Sequence, residues 1–296
     1  MATIAVTGSS GLIGGALVAS LVERGDHVIR LVRRPVSNPD EVRWDPAAGT
    51  VDAVENLDAV VNLAGAPIAR PWTRSHRVDI LTSRLAATRT ASELASRLGA
   101  ALVNGSAVGY YGSDRGAEVL TEASSSGDSF LADVVRQWEA ATAAAREAGC
   151  RVALARTGIV LAHGEGALKP LELLTRVGLG GPMGGGDQTW PWITLTDEVG
   201  ALVHLIDHEV EGPVNLAAPD ARTQGEIVRA LAAKLKRPAV VKAPGFALKA
   251  VLGGFADDIL GSQHVVPTRL LETGYTFTHP TLASAIDWLV QPQPTR

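Results

Sequence analysis

The stretch that most limits what this chain can become is its start, Thr3 to Gly15, reading TIAVTGSSGLIGG. Thr3 to Val6 is a short β-branched run suited to a strand buried on both faces, and it stops at Thr7-Gly8. From Leu12, apolar and small residues recur at helical spacing through Ile13, Ala16, Leu17, Ser20 and Leu21, until Gly25 supplies a helix stop. The order is strand, glycine turn, helix. In such a unit Gly8 allows the tight turn, Gly11 lets the backbone approach a pyrophosphate, and Gly14 lets helix and sheet pack closely. The helix N-terminus attracts the phosphate charge.

His27 to Val32 (HVIRLV) reads as the second strand of a β-α-β unit and runs into Arg33-Arg34-Pro35. A carboxylate about 20 residues after the glycines holds the ribose 2′-hydroxyl of NAD, whereas an arginine accommodates a 2′-phosphate. Arg33 lies 19 residues after Gly14, and no acid is adjacent in the sequence. A guanidinium over a phosphate makes charge-assisted contacts that an aspartate would repel. The expected cofactor is therefore NADP(H), with Arg33 and Arg34 on its phosphate.

Composition narrows the class. With 46% hydrophobic and 20% charged residues the 296-residue chain is an ordinary globular protein, and at net charge −4 no nucleic-acid partner is expected. Cys150 is the only cysteine, so no intramolecular disulfide and no Cys-x-x-Cys metal site is expected. A reducing cytoplasm fits. No signal peptide is read at the N-terminus, and no apolar run approaches the roughly 18 residues of a membrane span, so no membrane partner is expected. The oligomeric state stays open.

Further strands are expected at Glu41 to Trp44, Asp58 to Gly65 (DAVVNLAG), Ala101 to Gly112, Arg151 to Arg156 and Val214 to Ala217. Asp45 would lie near the adenine edge. Long helices are expected over Ser75 to Leu98 and Asp128 to Gly149, and shorter ones over Leu168 to Val177 and Gln224 to Leu235. Gly178 to Gly186 lacks a preceding strand and reads as a lid or substrate loop. Trp190 and Trp192, two apart, would share one strand face and line a pocket or the core. The tail from Phe246 is mostly helical, with Pro280 at a helix start and a frayed QPQPTR at the end. The expectation is a doubly wound α/β parallel sheet (Rossmann) over residues 1–161 and 190–221, with a smaller, mostly helical substrate lobe over 162–189 and 222–296.

The glycine turn resembles the T-G-x-x-G-x-I-G fingerprint of the extended short-chain dehydrogenase/reductases, matching Thr7, Gly8, Gly11, Ile13 and Gly14. The chain also resembles one epimerase-family branch, in Asn62-Leu63-Ala64-Gly65, Ser83-Arg84 with Thr88, and Gly127-Asp128 with Phe130, Leu131, Ala132, Trp138 and Glu139. Matches continue at Gly185, Gln188, Trp192, Ile193 and Asp197, and in a C-terminal segment of unknown function at Gln263, Val265, Pro267, Gly274, Tyr275 and Phe277. This resemblance implies a cofactor set of Thr7, Gly8, Ser10, Gly11, Leu12, Ile13, Gly14, Leu63, Ala64, Gly65 and Arg84. It implies that Ser106 hydrogen-bonds substrate beside the nicotinamide. Tyr111, in the turn after Ser106, matches the tyrosine of the family's V-Y-G turn, expected at the mouth of the cleft.

One departure matters. Family enzymes carry Tyr-x-x-x-Lys on the helix after Ser106, the lysine lowering the tyrosine's pKa for acid-base work. Here that helix has neither residue, and Leu131 with Val135, or Phe130 with Val134, stands at the two places. Ser106 shows no evident partner in the sequence. The leading expectation is an NADP(H)-binding oxidoreductase related to sugar-nucleotide epimerases and dehydratases, with Ser106 or Tyr111 serving an unidentified small molecule. The others are a cofactor-binding sensor without turnover and a sugar-nucleotide epimerase.

Overall fold

The computed structural model describes residues 1–291, so the frayed end expected from Pro292 onward lies outside the described residues. Ile4, Ala5 and Val6 have no solvent exposure, because their strand, β1 (Thr3–Thr7), lies in the middle of an eight-stranded sheet. The other strands are β2 (His27–Val32), β3 (Glu41–Asp45), β4 (Thr50–Val51), β5 (Ala59–Asn62), β6 (Ala101–Ala107), β7 (Val152–Thr157) and β8 (Gly212–Leu216). Their order is β8-β7-β6-β5-β1-β2-β3-β4, and all pairs are parallel except β3 with β4. Chain order reverses beside β1, so the carboxyl ends of β1 and β5 form the switch-point crevice where such sheets take ligands.

Helix α1 (Leu12–Glu23) covers one face of the sheet, and α2 (Arg74–Leu98), α3 (Phe130–Ala140) and α4 (Ala143–Glu147) cover the other. Thr73 caps the start of α2 by accepting from the His76 amide, and Gly99 ends it in the left-handed region at φ 67°. The helix expected as one piece over 128–149 is two. Ser129 caps it one residue after Asp128, and at the break the buried Thr142 hydroxyl donates to the Glu139 carbonyl at 2.8 Å. The Ser92 hydroxyl of α2 then takes the Ala145 amide at 2.8 Å. Side chains thereby take up backbone groups that a continuous helix would have paired.

The rest of the chain adds α5 (Lys169–Arg176), α6 (Leu195–Asp207), α7 (Gln224–Lys234), α8 (Gly245–Leu252), α9 (Phe255–Leu260), α10 (Thr268–Glu272) and α11 (Leu282–Val290). Leu17, Val18 and Leu21 of α1 share a core with Val199, Leu202 and Leu205 of α6, and Leu270 and Phe277 join that same core. A separate core joins Leu161, Leu168, Leu171, Trp190 and Trp192 to Ile227, Leu231, Leu282 and Ile286. Trp190 and Trp192 belong to different short ladders, one paired with Arg222 and the other with Ile159. Their indole N–H groups donate to the Ile259 and Asp220 carbonyls, and both are buried in the same core. Thr281 with Ser284, rather than Pro280, makes the cap of α11. Among the described residues no helix is long and apolar enough to cross a membrane.

Candidate active site

The glycine turn is built by exclusion. Gly8 has φ 65°, and a Cβ there would lie 2.7 Å from the Leu63 carbonyl oxygen. A Cβ on Gly14 would lie 2.3 Å from the Gly8 carbonyl oxygen, which only a glycine tolerates. Gly11 differs: it is exposed, and a Cβ there meets only the Gly8 oxygen at 3.3 Å. Gly11 is also the N-cap of α1, which has no side-chain cap and no acid in its first turn. The free amides and positive end of the helix therefore face outward beside the exposed Ser10, and Leu12 and Ile13 are half-buried behind them. Those features fit a dinucleotide pyrophosphate.

Thr7 closes the crevice from below. Its hydroxyl donates to Asn62 Oδ1 at 2.7 Å and accepts the Leu63 and Ala64 amides at 3.0 and 3.2 Å. Asn62 is fully buried and bonds Thr88 and Asn104, so it ties β1, β5, β6 and α2 together and takes no ligand. The Arg84 side chain lies close over Gly65, 3.2 Å from where a Cβ would sit, so a larger residue there would have to displace it. Arg84 is 7% exposed, donates to the Ala66 and Ile80 carbonyls, and lies 4.9 Å from the Trp138 ring. Burial without a carboxylate partner pulls its pKa down to about 10.

The two arginines after β2 separate. Arg33 is exposed and makes no hydrogen bond or ion pair among the described residues. Arg34 is taken up by an acid that lies seven residues on: its two terminal nitrogens bond both oxygens of Glu41 at 2.9 and 2.5 Å. The sequence reading saw no acid beside the pair because Glu41 comes from β3, which lies next to β2 in the sheet. Arg34 bonding holds the Glu41 carboxyl down to about 2, with the Ser37 amide helping.

Ser106 has a partner after all. At the carboxyl end of β6 its hydroxyl donates to Glu139 Oε1 at 2.6 Å. Arg156 of β7, the register neighbour of Ser106, grips the same carboxylate through Nε at 2.8 Å and Nη2 at 2.9 Å. Ser106, Glu139 and Arg156 are 4%, 8% and 3% exposed. Burial opposes the Arg156 charge, but the bonds and charge of Glu139 outweigh it and hold the guanidinium above its usual pKa.

Tyr111 is not at a cleft mouth. It lies in the short 3-10 turn Val108–Tyr111 with no exposure, donating to Asn215 Oδ1 at 2.6 Å and accepting Arg156 Nη1 at 3.1 Å. Burial raises its pKa, so it is a wall of the Arg156 site. The half-buried Tyr110 ring carries the Arg156 guanidinium 3.5 Å from its centre. Sequence reading missed Glu139 and Arg156 as a working pair. The available signal was an acid on the apolar face of α3 and a base inside the apolar strand VALART.

Across the crevice, Trp72 is packed between Phe130 of α3 and Phe255 of α9, with ring centres 5.1 and 5.6 Å away. The C-terminal segment thus reaches back over the sheet.

A family model described as the NAD dependent epimerase/dehydratase family matches residues 4–217, and a domain of unknown function (DUF1731) matches 243–289. Epimerase family protein ML0860 of Mycobacterium leprae is 40% identical over 293 residues, covering 97% of this chain and 95% of the relative. The crystal structure of human epimerase family protein SDR39U1 with NADPH is similar at TM-score 0.89 and 34% identity, covering 97% of this chain and 98% of that one. A nucleoside-diphosphate sugar epimerase from Corynebacterium glutamicum is similar at TM-score 0.80 and 34% identity, over 98% of this chain and 58% of that one.

Proposed function

We propose, on the premise that the chain belongs to the NAD dependent epimerase/dehydratase family, that it is an NADP(H)-dependent oxidoreductase acting on a hydroxyl or carbonyl of a small molecule. The observation that carries this reading is the Ser106–Glu139–Arg156 chain at the carboxyl edge of β6 and β7. Thr7, Gly8, Ser10, Gly11, Leu12, Ile13 and Gly14 would hold the pyrophosphate, Leu63, Ala64 and Gly65 the adjoining ribose, and Arg33 the 2′-phosphate. Arg34 would stay paired with Glu41, and Arg84 would face the anionic side of the crevice. A bound nicotinamide supplies the acceptor or donor of hydride.

The direction of the Ser106 hydroxyl decides what the chain's own residues do. Its single proton points to Glu139, so toward substrate it offers lone pairs, and it accepts a hydrogen bond from a substrate hydroxyl. As that hydroxyl loses its proton to Ser106 Oγ, the serine proton moves to Glu139 Oε1, and both O–H bonds form as both break. Arg156 holds the Glu139 carboxylate in orientation before the transfer, the part a third group plays for other serine–base pairs. The reverse sequence returns the proton to an alkoxide. This replaces the acid-base role that Tyr-x-x-x-Lys fills elsewhere.

The small molecule would lie between the Rossmann part (1–161 and 190–221) and the substrate lobe (162–189 and 222–296), with the Trp72–Phe130–Phe255 cluster supporting one wall. The lone Cys150 supports a reducing cytoplasm as the compartment. Single-turnover NADPH oxidation and NADP+ reduction over a panel of aldehydes, ketones and secondary alcohols tests the reading. Wild type should turn over at least one of them, and Ser106→Ala should slow it by about 10²- to 10⁴-fold with cofactor affinity unchanged. Turnover untouched by Ser106→Ala would remove the relay, and tight NADPH binding without any turnover would favour a sensor.

A further inference from the structure

The chain has five lysines: Lys169 at the start of α5, and Lys234, Lys236, Lys242 and Lys249 within sixteen residues around α7 and α8. Between residues 227 and 256 there are six cationic and no acidic side chains, in a chain whose net charge is −4. Lys234 and Lys249 have acid partners in Asp287 and Asp257. Arg229, Lys236, Arg237 and Lys242 are exposed and make no ion pair among the described residues.

The same region exposes large apolar side chains. Phe246 is 79% exposed, Val240 75%, Val251 69% and Val177 69%, and Leu173, Leu174, Leu179 and Val241 are also exposed. Helix α8 has no buried residue at all. The segments are held side by side: the Val241 amide donates to the Gly180 carbonyl, the Ala243 amide to the Pro182 carbonyl, and the Leu179 amide to the Leu174 carbonyl. Exposed apolar side chains interspersed with unpaired cations on adjoining segments mark an interaction surface.

We propose that this face, formed by the end of α5, residues 177–179 and residues 236–251, docks peripherally on an anionic lipid surface. Phe246, Val251 and Val240 would enter the acyl boundary, while Lys236, Arg237 and Lys242 meet the headgroup charge, their stems lying along the apolar residues. The expected absence of a membrane span is unaffected, since this contact spans nothing. A second copy of the chain suits the face poorly, because a two-fold contact would set like charges opposite one another. A nucleic acid would meet the cations but leave the aliphatic valines and leucines exposed. The proposal is independent of the catalytic reading.

Co-sedimentation of the full chain with phosphatidylcholine vesicles, with and without one quarter phosphatidylglycerol, at low and high salt, tests it. Wild type should pellet with the anionic vesicles at low salt and stay in solution with the neutral ones. Lys236→Glu with Lys242→Glu should weaken partitioning by on the order of tenfold or more, and Phe246→Ser with Val251→Ser should weaken it at both salt levels. All four positions are exposed, so a circular-dichroism melt should match wild type and separate loss of docking from loss of fold. No binding to anionic vesicles overturns the proposal, as does equal binding to neutral ones or binding that both double variants leave intact. Light scattering that shows dimers abolished by Phe246→Ser with Val251→Ser, without vesicle binding, would assign the face to a second copy instead.

Discussion

Glu198 sits in the first turn of α6 with no solvent contact, accepting the Thr157 hydroxyl on Oε1 at 2.7 Å while Oε2 has no partner. Burial pushes its pKa from 4.5 up to about 8, so near neutrality it is a neutral acid. The folded chain then holds a proton that the unfolded chain has released. Its contribution to stability is full below about pH 4.5, falls as pH rises toward about 8, and levels beyond. Each unit of that window is worth up to about 1.4 kcal/mol. Scanning calorimetry across the window should show the wild-type Tm falling more steeply than that of Glu198→Gln, whose side chain cannot ionise; parallel curves would refute the assignment. Residue-scale chemistry of this kind was the least legible in the sequence. Arg34 and Glu41, or Glu139 and Arg156, are paired by strand order and helix docking, which no local spacing encodes. Tyr111 kept its family position but is buried against Asn215 and Arg156.

At the scale of elements, the glycine turn separates fold from binding. Gly14→Ala would drive a Cβ into the Gly8 carbonyl and should lower stability by about 1 to 3 kcal/mol. Gly11→Val brings its Cβ against only the Gly8 oxygen, at 3.3 Å, so thermal stability should fall far less than for Gly14→Ala while NADPH binding, followed by fluorescence titration, falls at least tenfold. A Gly11→Val protein that binds normally would show that the turn serves backbone geometry only. The strands were legible because parallel strands buried on both faces read as unbroken apolar runs: HVIRLV became β2 at its stated bounds. The break at Thr142 was not, because it depends on Ser92 from another helix reaching the Ala145 amide. Trp190 and Trp192 both reach the core, one of the two outcomes their spacing left open, but from two different ladders. Pro191 between them ends one ladder before the next begins.

The whole molecule joins a sheet whose switch point lies beside β1 to a C-terminal segment packed partly on the sheet and partly on its own core. The parallel sheet was readable from the first β-α-β unit and its spacing; the exposed cationic and apolar side chains were not, because exposure depends on which side chains the fold leaves uncovered. The central claim is that the crevice above β1 and β2 is built for a cofactor with a 2′-phosphate, read by Arg33. It needs no knowledge of the small molecule to be tested. Calorimetric titration of wild type and Arg33→Ala with NADPH and NADH should show NADPH bound more tightly to wild type by about 1.5 to 3 kcal/mol, and that preference should vanish in Arg33→Ala. Equal affinities in wild type, or a preference that survives in Arg33→Ala, would contradict it.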